Sequence, residues 1–190
     1  VNIEREFYGF GAQYEFGESL SVRLSLVMGI DFDRQDDDRK RFNNDLGKIG
    51  SLTFDQNEKV NSNGLFLQSR YELGSWSISS GIRYDEVKFD ISDRFLSNGD
   101  DSGEIKFDAV SPSIGLNYNL ENGSVFLTMN SSFETPTTTE LANPDNSGGF
   151  NASLKPQKAN NIELGYKYAM DRLYYEVAIF DIDLQDELVP

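Results

Sequence analysis

Apolar and polar residues alternate along most of the chain with a period of two. In the clearest segment, apolar side chains occupy every even position from Leu20 to Phe32, and only Val27 interrupts the polar and small residues between them. The same alternation recurs over 110–120 and 162–170. Because successive side chains point to opposite faces of a β-strand, this pattern predicts strands with one apolar and one polar face.

Weaker copies of the alternation cover much of the remaining chain, over 8–16, 65–73, 76–84, 125–133 and 173–179. Together the segments predict an all-β protein, an antiparallel up-and-down meander of about eight strands, without a helix. Most of the predicted strands are about 9 to 13 residues long. Strands of soluble domains usually have about 5–6 residues, whereas roughly 9–11 are needed to cross a bilayer. Strand length therefore favours a transmembrane β-barrel.

The connections between the predicted strands alternate between short and long. Tight turns are expected near residues 17, 74, 122 and 171, and long excursions over about 33–62, 92–105 and 134–159. In a meander this alternation puts all short turns at one end and all long loops at the other, as in outer-membrane barrels. Aromatic residues lie on the apolar face beside the short turns, where amphipathic rings form an interfacial girdle; they include Tyr14, Phe16, Trp76, Tyr118, Tyr166, Tyr168 and Tyr175.

The composition narrows the possible functions. The chain has 190 residues, a net charge of −15 and no Cys or His. The missing side chains exclude disulfides, thiol catalysis and the Ser-His-Asp triad. The negative charge argues against nucleic acid as a partner. We therefore expect no enzyme activity, no catalytic residue, no cofactor and no metal ligand in this stretch.

Two groups of charged residues have simple explanations. The run from Asp31 to Arg41 could supply oxygen ligands to calcium, but it lacks the Gly and Glu spacing of an EF-hand and mixes both signs of charge, which favours a solvated loop. Charged residues on the polar face of the strands are expected to point into a barrel lumen and to pair across strands; they are Arg23, Arg70, Glu72, Arg83, Glu163, Lys167 and Glu176.

The segment 131–168 carries the most specific motif. It contains a Phe-x-x-Pro-Thr-x-x-Glu-Leu exit from a strand, an Asn-x-x-Leu-Lys-Pro return and a Glu-x-Gly strand. Its motif residues are Phe133, Pro136, Thr137, Glu140, Leu141, Asn151, Leu154, Lys155, Pro156, Glu163 and Gly165. This pattern resembles the TonB-dependent outer-membrane receptors. Ala152 and Gln157 replace the Pro and Glu that are usual in the family, without a change in spacing. The resemblance covers about 106–190, and the motif is interpreted as one that shapes a loop.

The resemblance implies a fold, a location and a set of partners. It implies that 1–190 is a segment of a 22-stranded barrel in the Gram-negative outer membrane, and that the plug domain and the C-terminal barrel strands lie outside it. The expected partners are outer-membrane lipid, the receptor's own plug and remaining strands, the TonB complex, and a scarce solute. A ferric siderophore or other iron chelate is the first expectation for that solute. The extracellular loops 33–62 and 134–158 are the expected regions of contact.

Two other interpretations remain open from the sequence. One is a complete small eight-stranded outer-membrane barrel with a structural or adhesive role, because eight strands close into a barrel of that size. The other is a soluble β-sandwich that binds a ligand, which strand length disfavours.

Overall fold

The computed structural model describes residues 1–16, 23–141, 151, 153–170 and 172–187. These residues form eight β-strands. The strands are β1 (Asn2–Phe16), β2 (Leu24–Asp45), β3 (Lys48–Leu73), β4 (Trp76–Asp93), β5 (Gly103–Leu120), β6 (Gly123–Glu134), β7 (Gln157–Met170) and β8 (Leu173–Gln185). In the described part of the chain, no helix is long and apolar enough to cross a membrane.

All eight strands belong to one antiparallel sheet in the order of the sequence. This is the predicted meander. The predicted short turns at Gly74 and Asn122 are present, between the paired residues Leu73 and Trp76 and between Leu120 and Gly123. The turns predicted near 17 and 171 have Gly17 and Asp171 outside the described residues. Hereafter the end of the sheet with these turns is the short-turn end, and the opposite end is the long-connection end.

The predicted loop 33–62 is wrong, because both strands continue through it as a hairpin. β2 pairs with β3 as far as Asp45 and Lys48, so only the turn Leu46–Gly47 remains outside the strands. The charged run of β2 is paired to residues on β1 and β3 along its backbone, and Asp37 and Arg39 within it bind Arg5 and Glu58 on those strands. For the same reason the loop predicted over 92–105 shrinks to 94–102, and the strands have 12 to 26 residues.

The pairing register sorts the side chains onto two faces near the short turns. Directly opposite residues share a face. Leu24, Tyr71, Ile78, Leu116, Leu127, Leu164 and Ile179 therefore form one row, and the next row on that face includes Leu26, Ile114 and Ile162. Asn117 and Glu163 lie on the other face, as expected. We call these the apolar face and the polar face.

The two faces exchange character toward the long-connection end. On β4, the apolar face carries Ile82 and Tyr84 and then Glu86 and Lys88, while the polar face carries Val87, Phe89 and Ile91. The pairing of β4 with β5 continues through this point in one unbroken register. Phe89 and Phe107 are buried there, with ring centroids 6.0 Å apart. The part of the sheet near the long-connection end therefore has its own apolar cluster, and this cluster lies on the polar face.

Candidate functional site

The motif segment after β6 forms a short, self-capped turn. Thr137 donates to Glu140 Oε2 through both its backbone N, at 2.7 Å, and its Oγ1, at 2.8 Å. In return, the Glu140 amide donates to Thr137 Oγ1 at 3.4 Å. The amides of Glu140 and Leu141 also donate to the Thr137 carbonyl at 3.1 Å. This is the reciprocal arrangement of a capping box, in which Thr and Glu three residues apart satisfy each other's backbone groups. The Thr-x-x-Glu spacing of the motif is thus explained by a local structure.

The residues that flank this turn anchor it to the sheet. Pro136 and Leu141 are fully buried, and Leu141 packs against Phe89 and Phe107. Leu154, from the returning part of the connection, packs against the same cluster. The described parts of the β6–β7 connection therefore lie over the polar face at the long-connection end, and apolar burial keeps them there.

The return of the connection uses further motif residues. The Asn151 amide donates to the Leu141 carbonyl at 2.8 Å, and Asn151 Oδ1 accepts from the Ser153 amide and hydroxyl. Lys155 is exposed and lies 3.8 Å from Asp186. Two further motif residues are half-buried, Phe133 on β6 and Pro156 before β7.

Glu163 and Gly165 lie together on the polar face of β7. Gly165 is opposite Phe126 on β6, and the Phe126 ring occupies the space that a Cβ at Gly165 would need. Lys167 Nζ lies 4.9 Å from the centroid of the same ring. A side chain at this position would have to displace the aromatic ring that covers it. Glu163 is opposite Thr128 in the neighbouring row.

A network of charged side chains joins the β2–β3 hairpin to the β6–β7 connection. Arg39 Nη1 donates to Glu58 Oε1 at 3.0 Å and to Thr139 Oγ1 at 3.2 Å. Glu58 Oε2 accepts from Thr138 Oγ1 at 2.8 Å. The structure thus brings the two regions 33–62 and 134–158 into contact, although the sequence did not indicate which residues touch.

A second ion pair lies beside this network. Arg5 of β1 donates to both oxygens of Asp37, at 2.8 and 2.6 Å, and Gln35 donates to the same carboxylate at 2.9 Å. The hydrogen bond with Asp37 raises the pKa of Arg5 above its ordinary value. Asp37 and Glu58, the buried carboxylates of these two pairs, are opposite each other in the sheet. The polar face is therefore strongly charged but internally compensated at this level.

Arg83 forms a third cluster closer to the short turns. Its guanidinium contacts Asp31 on β2 at 2.7 Å and Asp85 on its own strand at 2.7 Å. Other predicted lumen charges also pair, with Arg70 2.9 Å from Glu72 and Lys167 3.4 Å from Glu176. The prediction that charges of the polar face pair across strands is confirmed for Arg83 with Asp31 and for Lys167 with Glu176, whereas Arg70 and Glu72 pair within β3.

The chemistry available here is that of recognition. Among the residues that the structure describes, no three His, Cys, Asp or Glu side chains are grouped so that they could hold a metal ion. The carboxylates of Asp31, Asp37 and Glu58 accept hydrogen bonds from arginines. Glu58, Arg39 and Asp37 were missed by sequence reasoning as individual residues. The only sequence signal for them was the mixed-sign charge run between 31 and 41.

The short-turn end carries the predicted aromatic residues in contacting pairs. Tyr14 and Phe16 have ring centroids 4.8 Å apart, as do Trp76 and Tyr118. Tyr175 stacks on Tyr168 at 5.1 Å. These rings are partly exposed beside the hairpin turns, as expected for residues at a membrane–water boundary.

Comparison with known proteins agrees with this architecture. Residues 2–190 match the family model for the TonB dependent receptor-like β-barrel. The ferric citrate transporter FecA superposes with a TM-score of 0.77 at 18% identity, over 96% of this chain and 28% of its own. The copper transporter OprC gives 0.74 at 15% identity, over 97% and 30%. The alcaligin receptor FauA from Bordetella pertussis gives 0.68 at 22% identity, over 99% and 31%.

These matches place the chain as a part of a longer kind of molecule. The chain spans less than a third of the length of each of these three solved structures. Receptors of the matching family are Gram-negative outer-membrane proteins and are transport receptors, not enzymes. The family match over 2–190, together with the single antiparallel meander, shows that the chain belongs to the TonB-dependent receptor family and contains eight strands of its outer-membrane β-barrel.

Proposed function

We propose that the receptor containing this chain binds a scarce solute at its extracellular end and imports it across the outer membrane. The observation that carries the proposal is the family match over 2–190. The first candidate for the solute is a ferric siderophore or another iron chelate, since similar structures include a ferric citrate transporter and an alcaligin receptor. The chain has no His or Cys. It therefore lacks the soft ligands that a bare transition metal prefers, so the metal would arrive within its chelate.

The proposed contact regions are the distal β2–β3 hairpin within 33–62 and the β6–β7 connection within 134–158. Both lie at the long-connection end, which corresponds to the extracellular end of outer-membrane barrels. Recognition residues are commonly carried by loops on a rigid scaffold. Here the scaffold is the sheet, and the apolar cluster around Leu141 holds one of the two regions on it.

The remaining partners follow from the same proposal. The apolar face would contact outer-membrane lipid from the short-turn end as far as the point where its residues become charged. The polar face would line the barrel lumen, where it would meet the receptor's plug domain. The plug and the remaining strands would lie outside 1–190, and energy would come from the inner-membrane TonB complex through parts outside this chain.

The pairing of the outer strands argues against a complete eight-stranded barrel. A closed barrel of this size would pair its first strand with its last. In the described part of the chain β1 pairs with β2 and β8 with β7, and no contact joins β1 to β8. A soluble sandwich is also disfavoured, because the strands form one sheet with large hydrophobic residues exposed along it.

Uptake measurements test the proposal at two levels. Deleting the parent gene should abolish uptake of at least one ferric chelate among a panel that also includes cobalamin. Unchanged uptake of the whole panel would overturn the proposed cargo. Inactivating the TonB complex should abolish the same uptake, and unchanged uptake there would contradict an energised receptor.

The contribution of the hairpin can be tested by shortening it. A deletion of 36–60 would remove Asp37 and Glu58, which hold neighbouring segments, so the cut must be more distal. Replacing 42–53 by Asn-Gly joins the paired residues Arg41 and Phe54 by a two-residue turn. We expect weaker binding of the identified chelate with an unchanged amount of receptor in the membrane. Unchanged binding would exclude the hairpin tip as a contact region.

A further inference from the structure

The carboxylate of Glu58 connects three segments that are distant in the sequence. Its Oε1 accepts from Arg39 on β2, and its Oε2 accepts from Thr138 in the β6–β7 connection. Arg39 also donates to Thr139. Two neighbouring loop residues, Thr138 and Thr139, are thus held by the two strands of the hairpin. The Glu58 side chain is 3% exposed. Each carboxylate oxygen thus has a partner, and one of these partners lies on the loop.

The loop segment held by Glu58 is rigid in itself. The capping box between Thr137 and Glu140 fixes the turn that contains Thr138 and Thr139. Leu141 then enters the apolar cluster of β4 and β5. The base of the connection therefore has two attachments, an apolar one to β4 and β5 and a polar one to β2 and β3.

We propose that Glu58 is a positioning residue that latches the β6–β7 connection to the β2–β3 hairpin, so that the two regions keep one fixed relation to each other. Its importance for cargo rests on the proposed function, since these are the two proposed contact regions. The latch holds because release of Thr138 leaves one oxygen of a buried carboxylate without a partner. An unpaired buried acceptor of this kind is costly, more so when it is charged.

The first test changes the loop side of the latch in the full-length receptor. Thr138→Val removes the hydroxyl with little change of shape, Thr138→Ser retains it, and Thr53→Val makes the same change at an exposed position of the hairpin. The readout is hydrogen exchange at the amides of Leu141 and Asn151, which are bonded within the docked connection. We expect about tenfold faster exchange in Thr138→Val. Thr138→Ser and Thr53→Val should exchange as the unchanged receptor does.

The second test asks whether Glu58 is the partner through which Thr138 acts. Glu58→Ala should accelerate the same amides at least as much. Adding Thr138→Val to it should have no further effect, because the bond between Thr138 and Glu58 is already absent. The replacement of 42–53 by Asn-Gly should leave these amides unchanged, since it retains Arg39 and Glu58. Unchanged exchange in Thr138→Val, or additive effects in the double variant, would overturn the latch. None of these readouts involves cargo, so the latch and the proposed transport function fail in different experiments.

Discussion

Leu46 occupies a backbone conformation that rarely suits its side chain. It has a φ of 53° and precedes Gly47 with a φ of 88°, so the hairpin tip is a two-residue turn with both central residues in the left-handed region. Asn-Gly is the preferred sequence for such a turn, because most other residues meet a steric penalty there. Leu46 is also fully exposed, so burial does not offset this penalty.

A substitution at Leu46 should therefore stabilise the hairpin tip. We expect Leu46→Asn to favour the closed turn by about 1 kcal/mol, seen as slower hydrogen exchange of the tip amides. Ile49→Asn is the matched control, because Ile49 is also exposed but is not among the residues with positive φ. If both variants slow exchange equally, the backbone conformation of Leu46 is not the cause.

Leu141 is fully buried in the described part of the β6–β7 connection. Leu141→Ala removes the side chain at the centre of the cluster, and such a change in a core typically costs about 2–5 kcal/mol. The loss should fall on docking of the connection, measured by hydrogen exchange at Glu140 and Leu141. Leu96→Ala, in the exposed β4–β5 connection, should change nothing. Retained protection in Leu141→Ala would mean that the cluster does not anchor the connection.

At the scale of elements, the short-turn half of the long strands β2, β3 and β4 could be predicted from the sequence, and their distal half could not. Alternation near the short turns is set by one apolar face, so Leu24 or Ile114 can be assigned without a partner. The distal half of β2 instead depends on partners far along the chain. Asp37 is held by Arg5 on β1, and Arg39 by Glu58 on β3. A charge run by itself does not show that such partners exist.

The motif segment shows the same division. The capping box between Thr137 and Glu140 is local, so its residues could be identified from the sequence. The contact of Thr138 with Glu58 spans 80 positions, and nothing in either segment indicates it. Proximity of the two candidate regions therefore required the pairing register of the whole sheet.

Because the apolar residues change faces along the strands, the effect of a charged substitution should depend on its position along one strand. Ile114 and Asp108 lie on the same face of β5, opposite Met129 and Glu86 respectively. Arg on the lipid face costs about 2–4 kcal/mol near the bilayer midplane and little near its edge. Ile114→Arg should therefore reduce heat-resistant folded receptor in outer-membrane fractions, while Asp108→Arg should not. Equal effects of the two variants would contradict the proposal that the apolar face contacts lipid near the short-turn end.

At the scale of the whole molecule, the sheet has two strands that each lack a neighbour on one side. β1 pairs only with β2, and β8 only with β7, among the described residues. Unpaired strand edges are templates for another strand. In the receptor they are the places where the rest of the barrel would continue the sheet.

Expression of residues 1–190 alone should therefore give edge-to-edge oligomers in detergent, measured by light scattering coupled to gel filtration. Pro replacements at Ile3 and Phe7 of β1, whose amides point away from β2, should shift the distribution toward smaller species, because proline removes backbone donors from that edge. A monomer without these replacements would show that the edges do not drive association.

Part-way along β4, the apolar residues change from one face of the sheet to the other. This change also restricts how the strands of the barrel can change in length. On β4, Ile78, Ile82 and Tyr84 are out of step by one position with Val87, Phe89 and Ile91. Deleting Asp85 alone would place both sets on the same face of the strand. The apolar face would then be longer than the roughly 9–11 residues that a bilayer covers. Such hydrophobic mismatch would force the strand to tilt or the bilayer to deform. Changes by two residues keep the phase, so in this receptor lineage we expect insertions and deletions near the boundary to occur in pairs.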